Sequence, residues 1–359
     1  MSTNNTQQAT WVAIGSFFSF IVGIVSPMIL SRYFTKADYG TYKQVMYVYN
    51  TLLVVFTLGL PRAYSYFLPK RPIKQTKSII KKITAIFVIL GAIFSVFLFV
   101  FAKPIASFLH NEDLEIALKI FSPVPFFLLP TMGLEGIYAS LKKTKYLAIY
   151  TVCTRIFTIM CVVLPTLFFS GNYIYAIIGF DIASLLTCGV ALLMMYLPVK
   201  DIPSENTDIT YKDIFDFAIP LMTASIWGMV FNSANQFFIS RYFGNEVFAD
   251  FSNGFMEIPF ASMVFSAVAT VMLPAIARID SGEGMSDQVL SIWNNSINKS
   301  AKVIFPMLFF CIFFPTTIIT CMYGELYTKS GVYFLIRNIG GLFTIVPFAP
   351  IMLAIGKTK

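Results

Sequence analysis

Apolar runs of about 20 residues alternate along the chain with short polar stretches, and each run is long enough to cross the roughly 30 Å hydrocarbon core of a bilayer as a helix. The first predicted span covers Trp11–Leu30, followed by a loop over 31–43. The second covers Gln44–Phe67, and the third Ile83–Phe101. Residues 103–119 mix apolar and charged positions and read as an amphipathic interfacial piece. The fourth span, Ile120–Leu141, contains Pro123, Pro125 and Pro130. The fifth and sixth, Tyr146–Phe169 and Tyr173–Leu197, form a tight hairpin through Ser170, Gly171 and Asn172. After a polar linker come the seventh, Ile214–Ser240, and the eighth, Phe251–Leu273. A second polar stretch, 278–300, reads as holding a short surface helix; the ninth span, Val303–Met322, and the tenth, Val332–Ile355, follow. The predicted fold is all-α, a polytopic transmembrane helical bundle of about ten spans. Its domains are a first lobe over 1–200, a cytoplasmic linker over 201–213 and a second lobe over 214–359.

Composition agrees with that pattern. Charged residues make up 12% of the chain and hydrophobic ones 57%, whereas a soluble domain carries roughly 25% charge. The alternation expected of a barrel strand is absent. The residues before the first span hold no Lys or Arg, and no small-residue cleavage site follows it, so they read as a short tail rather than a signal peptide. The five cysteines sit in apolar segments without metal-ligand spacing, as small buried groups.

Charge then orients the bundle. Lys70, Arg71, Lys74, Lys77, Lys81 and Lys82 fall within 13 residues uninterrupted by acid, and loops rich in Lys and Arg stay in the cytoplasm. With ten spans and both termini cytoplasmic, sixteen of the 26 basic residues lie on the cytoplasmic side and seven outside, while Arg62, Arg155 and Arg337 fall within spans. The net charge of +8 therefore reads as topology, and nucleic acid is not an expected partner.

The halves repeat. Ser31-Arg32-Tyr33-Phe34 recurs as Ser240-Arg241-Tyr242-Phe243, Leu60-Pro61 as Leu273-Pro274, and Lys143-Thr144-Lys145 as Lys357-Thr358-Lys359, at offsets of 209, 213 and 214. The pattern predicts two pseudo-repeated lobes in the same orientation, here six spans plus four, with two further spans expected after Lys359.

ILSRYFTKADYGTYKQV at 29–45, followed by LGLPRAYSYFLP at 58–69, resembles the polysaccharide transporter family. These are flippases for lipid-linked oligosaccharides, such as O-antigen and lipopolysaccharide precursors, within the multidrug/oligosaccharidyl-lipid/polysaccharide exporter (MOP) superfamily. The specific motifs lie in 29–68 and, more weakly, 239–259. The resemblance implies two lobes around a central cavity, alternating access, and a bacterial inner-membrane location. It also implies a polyprenyl-pyrophosphate-linked oligosaccharide as substrate, membrane lipids as surroundings, and polysaccharide polymerase and chain-length machinery as partners. A multidrug cation antiporter of the same superfamily is the alternative. No ATP-binding motif, histidine cluster or nucleophile elbow is present in the sequence, so no cofactor is expected, and the chain does not read as an enzyme. A membrane glycan transferase or polymerase would need catalytic groups gathered in a loop, and these loops offer mainly lysine.

Several residues carry candidate chemistry. Arg62 lies about 12 Å of helix rise from the basic edge; it either snorkels to the interface or faces a cavity and holds an anion. Pro61 before it lacks an N–H and is expected to bend the span. Arg32 and Arg241, at equivalent ends of the first and seventh spans, read as interfacial anchors or as paired guanidiniums for a pyrophosphate. Arg155 and Asp181 fall within roughly 9 Å in depth across the hairpin, and are expected to form an ion pair or, alternatively, a substrate or proton site. Glu135 and Glu257 are single carboxylates within spans and candidates for ion coupling, as Asp181 is. His110, the one histidine, reads as a surface residue.

Overall fold

In the computed structural model, residues 5–169, 171–256, 276 and 285–343 are described, and they contain helices and no strands. The helices are α1 (Asn5–Tyr33), α2 (Lys36–Phe56), α3 (Pro61–Phe67), α4 (Thr76–Phe108), α5 (Asp113–Phe121), α6 (Val124–Thr131), α7 (Gly133–Ser140), α8 (Thr144–Phe168), α9 (Tyr173–Tyr196), α10 (Tyr211–Gly254), α11 (Met285–Phe313), α12 (Pro315–Tyr323) and α13 (Ser330–Gly341). Among the described residues, seven helical segments are long and apolar enough to cross a membrane, or eight when the pair 113–121 and 124–140, bent by 47°, is taken as one broken span. These correspond to the first seven expected spans and the ninth. The eighth lies almost wholly outside the described residues, as does the second half of the tenth.

The polar stretches depart from expectation. Residues 36–43, expected as loop, open α2: the Thr35 hydroxyl oxygen accepts from Asp38 N–H at 3.1 Å and its O–H donates to the Asp38 carboxylate at 2.7 Å. That reciprocal cap satisfies donors the first turn would otherwise leave unpaired. Likewise α4 begins at Thr76, so Lys77, Lys81 and Lys82 are helical. The piece at 103–119 is not one interfacial helix. It comprises the end of α4, a turn with His110 at φ +53°, and α5. The fourth span is cut into α5, α6 and α7; Pro123 lies in the break between α5 and α6, and Pro130 is in the last turn of α6. The described part of 278–300 belongs to α11, a single helix running on into the ninth span.

The chain divides into two compact units, Met1–Ala249 and Asp250–Lys359, and the boundary between them falls within α10. The reason is visible in the first unit, where the part of α10 before the boundary packs on α2. Gln44 Nε2 donates to Ser240 Oγ at 2.8 Å, and a Cβ on Gly40 would sit 2.0 Å from the Asn245 carbonyl oxygen. The core of this unit is a run of rings. Phe56 stacks on Phe94 at 4.3 Å, Phe94 on Tyr49 at 5.8 Å, Tyr49 meets Phe121 edge-on at 5.3 Å, and Phe121 meets Phe180 at 5.6 Å. Four helices, α2, α4, α5 and α9, are joined by this stack, in the offset and edge-on geometries that aromatic quadrupoles favour. In the second unit Ser330 Oγ donates to the Asp250 carboxylate at 3.2 Å.

The repeat is also written in the backbone. The first SRYF ends α1, and the chain turns at Phe34 and Thr35 into α2. After the second SRYF, α10 breaks at Gly244, with φ +82°. Tyr39 and Phe248, 209 residues apart, are both fully buried. His110 and Gly324, 214 apart, both take positive φ directly after the third and ninth spans.

Candidate functional site

The second span is broken near the basic edge. Leu58 and Gly59 take φ of +50° and +71°, and Leu60 N–H bonds back to the Thr57 carbonyl at 2.9 Å. Helix α3 then restarts with Pro61 in its first turn. This corrects the expected cause of the bend. Pro61 sits where its missing N–H costs nothing, and the left-handed pair before it makes the break. Gly59 suits both demands of its place, since its φ favours glycine and a Cβ there would lie 2.9 Å from the Ala218 carbonyl oxygen on α10.

Helix α3 buries Ala63, Tyr64 and Phe67 and exposes Arg62, Ser65 and Tyr66. Tyr64 shares a hydrogen bond with Thr84 at 2.9 Å. Tyr66 stacks on Phe217 at 4.2 Å, and Lys70 Nζ lies 3.4 Å from the Tyr66 ring centroid. Both faces of α3 are thereby fixed, and Arg62 is held outward. Among the described residues its guanidinium has no hydrogen-bond or ion-pair partner, which leaves five N–H donors for an external acceptor.

The other expected residues are dispersed. Arg32 is exposed in the last turn of α1. Arg241 donates to the Phe108 carbonyl oxygen and lies 4.5 Å from the centroid of that residue's ring, while His110 Nδ1 donates to the Arg241 carbonyl at 2.9 Å. His110 is exposed, as expected, but it is built into the end of α4. Glu135 is exposed in the first turn of α7. Glu257 lies outside the described residues.

Arg155 and Asp181 do not form the expected ion pair. The Asp181 Oδ1 atom is buried without a hydrogen-bond partner, and Arg155 is exposed, within electrostatic reach of the Tyr49 and Tyr150 hydroxyls. The cause is the crossing of α8 and α9. A Cβ on Gly179 would lie 1.9 Å from the Cys161 carbonyl oxygen, so that level is where the helices touch. Arg155, six residues before Cys161, is turned about 240° from it. It shares a face with Ala148 and Thr151, which pack on Gly15 of α1.

Two features were not anticipated from sequence. Beyond the Gly179–Cys161 contact, α8 and α9 line a groove of about 430 Å³ with Tyr146, Tyr150, Cys153, Thr187, Val190 and Met194 among others. The second is a buried polar cluster. Asn111 Nδ2 donates to Thr41 Oγ1 at 2.9 Å and Gln44 Oε1 at 2.5 Å, and Asn245 Nδ2 donates to the Ala37 carbonyl at 3.3 Å. Its signal was an amide at 44 and another at 111, each flanking apolar stretches.

A family described as "Polysaccharide biosynthesis protein" matches residues 29–331. The chain belongs to this polysaccharide biosynthesis protein family. No protein of curated function matches the sequence. Among solved structures, an inward-facing multidrug resistance transporter of the MATE family superposes with a TM-score of 0.69 at 12% identity, over 98% of this chain and 85% of that one. The lipid II flippase MurJ, in an inward closed conformation, gives 0.66 at 18% identity, over 97% and 76%. A MOP-superfamily transporter from Pyrococcus furiosus, described as having a binding pocket of reversed polarity, gives 0.60 at 14% identity, over 96% and 80%. The shared fold is that of the MOP-superfamily exporters. The family member is a multi-pass membrane protein with the fold of those transporters.

Proposed function

We propose that this polysaccharide biosynthesis protein is a flippase. Its substrate is an oligosaccharide on a polyprenyl-pyrophosphate carrier, moved from the cytoplasmic to the outer leaflet of a bacterial inner membrane by alternating access, for surface polysaccharide assembly. The observation that carries this reading is Arg62, an exposed guanidinium without a partner among the described residues, held beside a helix break at the basic edge of a span in a chain of this family. A planar fork of donors suits a pyrophosphate better than a point charge does. Arg32 and Arg155, both exposed, are further candidate phosphate or glycan contacts. Moving negative charge outward across an inside-negative membrane is favourable by about 2.3 kcal/mol per charge per 100 mV, which supports the direction. Asp181, with a buried and unpartnered carboxylate oxygen, is the candidate for ion coupling, and it is also the observation that favours the alternative of cation antiport.

Reconstitution into liposomes separates the two. A short-chain lipid-linked oligosaccharide with a fluorescent label is expected to become accessible to an external quencher faster in vesicles holding the protein than in empty ones. Ethidium flux driven by a proton or sodium gradient, with no oligosaccharide translocation, would overturn the flippase reading.

A further inference from the structure

The basic run is covered by the chain's own linker. Residues 200–209, between α9 and α10, lie along the start of α4. Lys77 Nζ donates to the carbonyl oxygens of Lys200 and Ile202 at 2.8 and 2.7 Å. Lys82 Nζ donates to that of Ile209 at 2.7 Å. Glu205 N–H donates to the Lys74 carbonyl at 3.0 Å, and its carboxylate pairs with Lys74 Nζ at 3.0 Å. Arg71 pairs with Asp208 at 2.9 Å. Four of the six cations that orient the protein are thus engaged by one ten-residue strap, which also buries Thr207 and Ile209.

These bonds differ in strength. Both ion pairs are about half exposed, with side-chain exposures of 38% and 62% for one and 55% and 51% for the other, and exposed pairs contribute little and are screened by salt. Of the lysine-to-carbonyl bonds, those to Ile202 and Ile209 are partly buried, and all are charge-assisted, the stronger kind. All the acceptors are oxygens, the same chemistry that lipid phosphates offer. Ile73, between Arg71 and Lys74, is 56% exposed, an apolar side chain set among cations as an interfacial segment requires. A polybasic segment beside a span attracts anionic headgroups.

We infer that the linker is an electrostatic latch: the strap and anionic phospholipid headgroups compete for Arg71, Lys74, Lys77 and Lys82, and headgroups release it. Docked, the strap ties the start of α10 to α4. Released, its ten residues are a slack tether, and the basic run is bound to the membrane surface instead. This device is independent of what the protein transports.

Proteolysis by a glutamate-specific protease reads the latch directly, since Glu205 is held in the strap and cleavage after it tracks the released population. In nanodiscs of phosphatidylcholine at low salt, cleavage at Glu205 is expected to be slow. Replacing about a third of the lipid with phosphatidylglycerol, or raising the salt, is expected to accelerate it. The variants Lys77→Met and Lys82→Met are expected to raise the rate about tenfold each in neutral lipid, a change equivalent to about 1.4 kcal/mol and close to the lower end of the range for a hydrogen bond to a charged group. Lys81→Met removes a charge from the same run without touching the strap and is expected to leave the rate unchanged. Equal cleavage in the two lipids overturns the latch, and that arm requires no variant. Acceleration by Lys81→Met equal to that by Lys77→Met overturns it as well, because the effect would then be one of net charge.

Discussion

The guanidinium of Arg241 donates to the carbonyl oxygen of Phe108 at the end of α4, and the next turn returns the bond, from His110 Nδ1 to the Arg241 carbonyl. The C-terminal carbonyls of a helix lack intrahelical partners and carry partial negative charge, so a cation there closes the helix electrostatically. Arg241→Ala is expected to lower stability by roughly 1–2 kcal/mol, with Arg241→Lys recovering part of it. Thermal unfolding in detergent measures this. Weakened pyrophosphate binding at unchanged stability would instead assign Arg241 to the substrate.

Arg62 carries the opposite expectation. Its side chain has no protein partner among the described residues, so Arg62→Ala is expected to leave membrane insertion and thermal stability unchanged while abolishing or strongly reducing transport. Arg62→Lys should restore transport in part. Complementation of a glycan-export defect, with protein level checked by blot, decides it: full activity in the Ala variant removes Arg62 from the site.

The break before α3 depends on Gly59. An alanine there must hold φ near +71° and place its Cβ 2.9 Å from the Ala218 carbonyl. Such strain costs on the order of 1–3 kcal/mol, before any displacement of α10. Gly59→Ala should therefore reduce both stability and transport, whereas Gly189→Ala, whose Cβ meets nothing within 4 Å, should be near neutral. Parallel melting curves of the two variants make the comparison.

Asn111 is buried and donates to two buried acceptors. Truncation to Ala leaves Gln44 Oε1 without that donor, and an unsatisfied buried polar group costs about 1–3 kcal/mol. Asn111→Ala is expected to lower the unfolding free energy by that amount, read as a lowered unfolding midpoint. A double variant with Gln44→Leu should lose less than the sum of the two single changes.

Arg155 and Asp181 lie on differently directed faces of their helices. In a double-mutant cycle of Arg155→Ala and Asp181→Ala, the stability effects are expected to add within about 0.5 kcal/mol, as for independent sites. A coupling well above that would restore the ion pair.

The sequence by itself determined the class of fold and most of its inventory. Apolar runs of membrane length have no other stable state in a bilayer than the helix, because every backbone group must find its partner within the segment. The span pattern, the duplicated halves and the position of Arg62 near a basic edge follow from period, length and charge, which are local properties. Local rules also held the Thr35 cap and the proline cuts in the fourth span, although the apolar periodicity concealed both.

Only the tertiary structure decided which polar groups meet. Arg155 and Asp181 match in depth, yet the close contact of Gly179 with Cys161 sets the rotation of α8 against α9 and turns the arginine away. Arg241 resembles Arg32 in its sequence setting, yet Phe108, 133 residues away, supplies its partner. The basic run reads as a free cluster until residues 200–209 are seen lying on it. Side-chain pairing across a bundle depends on helix rotation and on where the backbones touch, and a single glycine can fix either one without any mark in the hydropathy pattern.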